Sequence, residues 1–265
     1  LLHTGVIADR SIVDAMLDVP RHRFIPGVSL EDAYSDRALA IKEHDGLVVS
    51  SISQPSMVAQ MLSLLAVHPG DRVLEIGAGS GYNAALLARL AGSAGRVVTV
   101  DIEDDLLHAA RERFNDLGYA AISVVHADDV SALAGPFERI VVTARSDDID
   151  PQWWRLLDDG GRLVVPLDIG YGGERAVGFI RYGARLRSVG SYACAFIGMR
   201  TSAHDQPPAM FFRNRHVRFL EAPTARTDLE IIALRPGDAT PELLAEADTV
   251  VARPATLFAI TRSES

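Results

Sequence analysis

The segment from Arg72 to Leu167 predicts an α/β fold built on a doubly wound, mostly parallel sheet. Three observations predict it. Short apolar runs rich in Val and Ile alternate with helical segments, as strands buried on both faces require. The first run leads straight into a turn with glycines at 77, 79 and 81. Carboxylates recur at the ends of successive runs, at Glu75, Asp101 and Asp128.

Taken in order, residues 6–18 place Ile7, Ile12, Val13, Met16 and Leu17 near helical spacing, and Val19-Pro20 ends that helix. RHRFIPG follows, then a polar stretch read as irregular up to about Ser50. From Met57 the residues Val58, Met61, Leu64 and Leu65 repeat with a helix period until Pro69-Gly70. Pro55 suits the first turn, which leaves Ser53 or Gln54 as the cap. The alternation then reads as strand 72–76, helix 80–91, strand 96–101, helix 104–117 and strand 121–126. It continues as strand 138–143, a short helix from Pro151 to Leu157 and strand 162–167. AVGFIRYG and LRSVGSYACAFIGM extend the sheet as further strands. Beyond about Asp205, QPPAMFFRNRH is loop-like, and the strands DLEIIALRP and TLFAITR flank the helical patch PELLAEA. This divides the chain into an N-terminal helical and irregular segment at 1–50, a core at 51–205 and a C-terminal extension at 206–265, the last a candidate for substrate recognition.

Composition excludes several classes. A formal charge of −9 argues against a nucleic-acid binder, since phosphate contacts call for a basic domain. The single Cys194 rules out an intramolecular disulfide and a Cys-cluster metal site, so a reducing compartment and no metal are expected. No apolar run approaches the ~18 residues of a membrane span. LLHTGVIADR lacks the basic-then-apolar layout of a signal peptide, and a cytoplasmic protein with no membrane partner is expected.

The stretch VLEIGAGSGY carries the most chemistry. Glycines at a strand-to-helix turn let the backbone pass close to a ligand with no Cβ in the way. A dinucleotide fingerprint wants G-x-G-x-x-G with a pyrophosphate at the helix start, but Tyr82 stands at the third glycine's place. Glu75 is also an awkward neighbour for a phosphate. Asp101, followed by Ile102, ends the next strand where a carboxylate accepts from ribose hydroxyls. Asp128 and Asp129 end the third, within reach of an adenine amino group. A nucleoside that lacks phosphates and carries positive charge fits this set, and S-adenosylmethionine is that ligand. The plain reading of each feature is a tight turn or a helix cap. An NAD-dependent oxidoreductase and a donor-binding protein without turnover are the alternatives.

With SISQPSMVAQML beside the glycine turn, the chain resembles the protein-L-isoaspartate O-methyltransferase family. The matching segments are VPRHRFIP, AYSDRALAI, SISQPSMVAQML, RVLEIGAGSGYNAALLA, VVTVD, ERIVVTA, GGRLVVPL and, more loosely, AFIGM, in the family's order over roughly residues 5–200. The resemblance implies a Rossmann-like, S-adenosylmethionine-dependent enzyme that leaves S-adenosylhomocysteine and methylates an aspartyl or isoaspartyl carboxylate of a peptide or protein. It places Ser53 on the active-site hydroxyl, Ser51 on its supporting neighbour and Thr143 beside the cofactor, with Gln54, Ser56, Ile197 and Met199 on the substrate side. Methyl transfer from a sulfonium needs alignment more than a strong base, because a carboxylate with a pKa near ~4 is already ionised. A helix start near Ser53 is expected to offer N–H groups to the incoming anion. KEHDGLVVS replaces a shorter glycine-rich link, and Phe196-Ile-Gly-Met199 replaces a proline-containing loop. Both departures lie on the acceptor side. The wording also resembles the branch that tailors ribosomally made peptides, where an Asp ester leads to an aspartimide.

Other residues carry weaker expectations. Arg21-His22-Arg23 reads as a solvated face, Trp153-Trp154 as packing and His126 as structural, while Arg145 is a possible partner for an acidic substrate.

Overall fold

The computed structural model describes residues 9–168, 173–200, 229–245, 247 and 249–262. The start of the first helical reading and the loop-like QPPAMFFRNRH lie outside the described residues. Helix α1 (Arg10–Asp18) is capped by Asp9, whose Oδ1 accepts from the Ser11 N–H at 2.8 Å, and it stops before Pro20. After a 3-10 turn at Arg21–Phe24 and the short α2 (Leu30–Ala33), the chain departs from the irregular reading. Strands β1 (Leu39–His44) and β2 (Leu47–Ile52) form an antiparallel hairpin. Its two-residue turn, Asp45-Gly46, has φ of 50° and 75°, the left-handed pair that suits strand twist. Ser50 and Ser51 therefore end a strand rather than start a helix.

Helix α3 (Pro55–Leu65) begins with proline at its first position, Gln54 at the cap and no capping bond from Gln54's own side chain. The winding then follows: β3 (Arg72–Ile76), α4 (Tyr82–Ala91), β4 (Arg96–Asp101), α5 (Asp104–Leu117), β5 (Ser123–His126), β6 (Phe137–Val142), α6 (Pro151–Leu156) and β7 (Leu157–Asp168). Strands β8 (Glu174–Tyr182) and β9 (Arg185–Ala193) add antiparallel pairs, and residues 194–200 leave the strand that was expected to continue there. The C-terminal residues give β10 (Leu229–Leu234), α7 (Pro241–Ala245), β11 (Thr249–Ala252) and β12 (Leu257–Arg262).

Ten strands make one sheet in the order β11-β12-β10-β9-β8-β7-β6-β3-β4-β5. Its β7-β6-β3-β4-β5 part is parallel, the remainder antiparallel. One face packs on α1, α3, α4 and α5 through residues such as Leu62, Leu65, Leu86 and Phe114. The other gathers Ile140, Trp153, Trp154 and Phe179 with Ile231 and Phe258, so the C-terminal strands share that core. Both tryptophans are packing residues, as expected. No helix among the described residues is long and apolar enough to cross a membrane.

Candidate active site

Strand order reverses between β3 and β6, and a doubly wound sheet opens a crevice beyond the strand ends at such a point. Here it is a cavity of about 1290 Å³, lined by the glycine turn, the ends of β4 and β6, the hairpin, the start of α3 and residues 193–200. Gly77 has a φ of +105°, and a Cβ there would sit 2.3 Å from Thr143 Oγ1. That hydroxyl donates to the Gly77 carbonyl at 2.8 Å and to the Ile76 carbonyl at 3.1 Å, so Thr143 fixes the turn from β6. Gly79 donates its N–H to Asp101 Oδ2 at 2.8 Å. Asp101 Oδ1 accepts from the N–H groups of Ile102 (2.8 Å) and Glu103 (3.2 Å). Burial raises the Asp101 pKa, with those three donors opposing the rise.

Glu75 is fully buried and accepts from Thr99 Oγ1 at 2.5 Å and Asn83 Nδ2 at 2.8 Å. Desolvation, partly offset by these two bonds, pushes its pKa to about 7. The folded protein thus holds this proton more tightly than the unfolded chain. The stabilisation is full below the ordinary carboxylate range and is lost as pH rises through about 7. Without donor, stability is expected to fall as pH rises from the ordinary value of 4.5 to about 7, by up to roughly 3 kcal/mol from this group. Glu75→Gln, whose amide can donate to Thr99, should flatten that slope in urea titrations; an unchanged slope would assign it to other groups.

The facing wall comes from β2 and α3. Ser51, Ser53, Gln54 and Ser56 all line the cavity. The hydroxyls of Ser51 and Ser53 make no hydrogen bond among the described residues. The α3 start is less open than expected. Asp36 accepts from the Ser56 N–H at 2.8 Å and from Gln54 Nε2 at 3.0 Å, so a resident carboxylate already caps the helix. The offer of that N–H to an incoming anion is withdrawn by this contact. Ile197 and Met199 line the cavity from the third side. Their backbone forms a ladder with Arg145, whose N–H donates to the Ile197 carbonyl at 2.9 Å and whose carbonyl accepts from Met199 at 2.8 Å. Glu174 anchors the same loop, accepting from the Phe196 N–H at 2.6 Å.

Among the lining residues, Glu43, Glu75, Asp101, Glu103 and Asp150 carry carboxyls against one guanidinium, Arg200, which is paired with Glu103. That balance fits a cationic ligand, and among the described lining residues the one cationic side chain is already engaged by a carboxylate. Comparison with known proteins decides the relationship. A family model described as Protein-L-isoaspartate(D-aspartate) O-methyltransferase matches residues 1–196.

The chain belongs to this family.

It is accordingly an S-adenosylmethionine-dependent O-methyltransferase of the protein-L-isoaspartate type. It is 41% identical over 170 residues to the protein-L-isoaspartate O-methyltransferase of Pyrobaculum neutrophilum, covering 63% of this chain and 80% of that protein. To the Roseiflexus sp. (strain RS-1) protein of the same name it is 42% identical over 172 residues, 64% of this chain and 73% of that one. A solved protein-L-isoaspartate O-methyltransferase superposes with a TM-score of 0.67 at 29% identity, covering 75% of this chain and 63% of that one. A Plasmodium falciparum protein solved with S-adenosyl-L-homocysteine shares the fold at TM-score 0.63 and 21% identity, over 76% of this chain and 94% of that one.

In this O-methyltransferase several expected cofactor residues stand elsewhere. Gly81 does not line the cavity; its missing Cβ faces Phe114, 2.8 Å from the ring, so it serves helix packing. Asp128 and Asp129 also lie off the cavity wall. The Asp128 side chain is 86% exposed, and its backbone N–H donates to His126 Nδ1 at 3.2 Å. Tyr82 borders the cavity, but its ring lies under Arg21, 5.1 Å from the guanidinium, and edge-on to Phe24. Arg21 is therefore buried, not part of a solvated face. Asp36, Asn83, Thr99, Glu103, Glu174 and Arg200 escaped the sequence reading.

Proposed function

We propose that this methyltransferase esterifies an aspartyl or isoaspartyl side-chain carboxylate of a peptide, and that its acceptor is a dedicated peptide whose ester closes to an aspartimide. One observation carries the reading of the acceptor side: Ser51 and Ser53 present unengaged hydroxyls in the same cavity as the Gly77–Gly79 turn and Asp101. Hydroxyls left without protein partners beside a donor cleft suit the oxygens of a carboxylate.

The donor's fit rests on the turn, Asp101 and the acidic lining. Bound there, S-adenosylmethionine supplies an electrophilic methyl: the carboxylate oxygen bonds to it as the carbon–sulfur pair returns to sulfur. Asp101 stays on the β4 end, held by three N–H groups, with lone pairs left for ribose hydroxyls. Ser53 and Ser51 orient the acceptor oxygen, and Ile197 and Met199 cover its flank. No proton has to move, so no residue is asked to act as a base. In the ester the neighbouring backbone nitrogen displaces methanol, which takes the amide proton, and a five-membered imide remains.

Support for a dedicated acceptor comes from the C-terminal extension. Asp148, in the loop after β6, accepts from the Ala255 N–H at 2.6 Å, and Arg253 Nη2 donates to the Asp168 carbonyl at 2.8 Å. The extension thus braces the loop that leads to Asp150, Gln152 and Trp153 at the cavity. Labelled S-adenosylmethionine with an isoaspartyl test peptide and with candidate ribosomal peptides tests both halves of the reading. The expected result is methyl incorporation, followed by loss of methanol, on one Asp-bearing peptide. Efficient turnover of the test peptide would replace tailoring with general repair. Methyl incorporation into no carboxylate would remove the acceptor class.

A further inference from the structure

The β1–β2 hairpin is not part of the large sheet, yet it walls the donor cleft. Ile41 Cδ1 and Ser50 Oγ stand 3.6 and 3.5 Å from where Gly79 would carry a Cβ. Charge ties it to the core. Lys42, on β1, donates from Nζ to Glu103 Oε2 at 2.5 Å and to Asp105 Oδ1 at 2.6 Å. Both acids lie at the start of α5, just beyond Asp101. On its other oxygen Glu103 accepts from Arg200 Nη2, at the end of the loop that carries Ile197 and Met199. One carboxylate therefore joins the hairpin, the acceptor loop and the β4 end.

The cluster is costly for an ornament. The Glu103 side chain is 9% exposed, Arg200 4% and Lys42 24%. Burying paired charges gains little stability over apolar residues of the same size, because desolvation consumes the attraction. What such a cluster does is fix one arrangement of the parts it joins. Burial opposes ionisation of Glu103, but its bonds to Lys42 and Arg200 outweigh that and hold it below the ordinary carboxylate range.

We propose that Lys42 and Glu103 are positioning residues that latch the hairpin over the methyl donor and tie its closure to the acceptor loop. The proposal rests on the reading of this cleft as the donor site. With the latch made, the donor is covered and the acceptor loop is set. With Lys42 released, the hairpin swings from its turn-free end and the donor can leave. Lys42 is the arm that reaches solvent, so the latch is sensitive to salt.

The 265-residue chain and S-adenosylhomocysteine as probe test it. Lys42→Gln is expected to release the probe about tenfold faster than wild type, while Lys42→Arg stays within about twofold. Wild-type release should quicken as salt rises towards about 1 M, and the Gln variant should not follow. Hydrogen exchange over residues 39–52 should slow on adding the probe to wild type but hardly in the Gln variant. Equal release rates in wild type and Lys42→Gln would overturn the latch. Should that variant not fold, wild-type release that ignores salt would overturn it instead. A wild-type chain that binds no probe removes the donor reading, and the latch with it; binding with unaltered release removes the latch alone.

Discussion

Asp101→Ala is expected to weaken binding of S-adenosylhomocysteine by at least about a hundredfold and to lower the melting temperature by roughly 10 °C. Two losses combine. The carboxylate accepts from the N–H groups of Gly79, Ile102 and Glu103, and its removal strands three donors near the cavity floor. Water reaches some of them, so the cost is about 3 kcal/mol rather than three full desolvation penalties. In a chain of this size that is worth roughly 6–12 °C. The second loss is the acceptor for ribose, in a turn that no longer holds its shape. Asp101→Asn separates the two. It keeps one acceptor oxygen and should recover part of the stability while remaining weak in binding. Calorimetry on both variants reads the difference, and wild-type affinity in Asp101→Ala would show that the donor lies elsewhere.

Ser53→Ala is expected to cut methyl transfer by about a hundredfold and to leave donor affinity and folding stability nearly untouched. The asymmetry follows from the hydroxyl's surroundings. Ser53 precedes the Gln54 cap, and its oxygen bonds to nothing among the described residues, so the fold loses no contact. Substitutions of that kind ordinarily shift stability by less than about 0.5 kcal/mol. The acceptor carboxylate loses a donor at the point where alignment matters. Ser53→Thr keeps a hydroxyl and should retain most of the rate. Single-turnover measurements at saturating donor provide the check, and an unchanged rate would take Ser53 out of the mechanism.

The segments buried on both faces were legible to the residue. Strands β3 and β4 and helix α5 run where Val, Ile and Leu spacing placed them, because the strands are covered on both faces and their two buried polar side chains, Glu75 and Thr99, satisfy each other. The hairpin was not legible. Lys42, Glu43 and His44 break the period-two pattern, since β1 packs on a cleft rather than a core. Its one signal, Asp45-Gly46 between two extended runs, is the turn chemistry of a tight hairpin. β11 was missed because four residues after a helical patch offer no period at all.

The site divides in the same way. Gly77, Gly79 and Asp101 follow from the turn and the strand ends, and Thr143 from the family resemblance. Asp128 follows the same rule, but its side chain turns outward at the edge strand, and Ala127 and Val130 beside it face the cavity instead. A glycine's spacing does not reveal which neighbour crowds its missing Cβ, and for Gly81 that neighbour is Phe114. Lys42 and Arg200 reach Glu103 across 61 and 97 positions, a pairing that leaves no local mark.

The five carboxyls around the cavity have a bearing on turnover. Those that are ionised and unpaired attract the incoming sulfonium, yet the reaction cancels its charge against that of the acceptor. Both departing molecules are neutral at the reacting atoms, so the spent donor keeps its hydrogen bonds but loses the attraction of the carboxyls for its sulfur. Each cycle thereby discharges its own ligands, and fresh donor competes for the vacated place with an electrostatic advantage over the spent one.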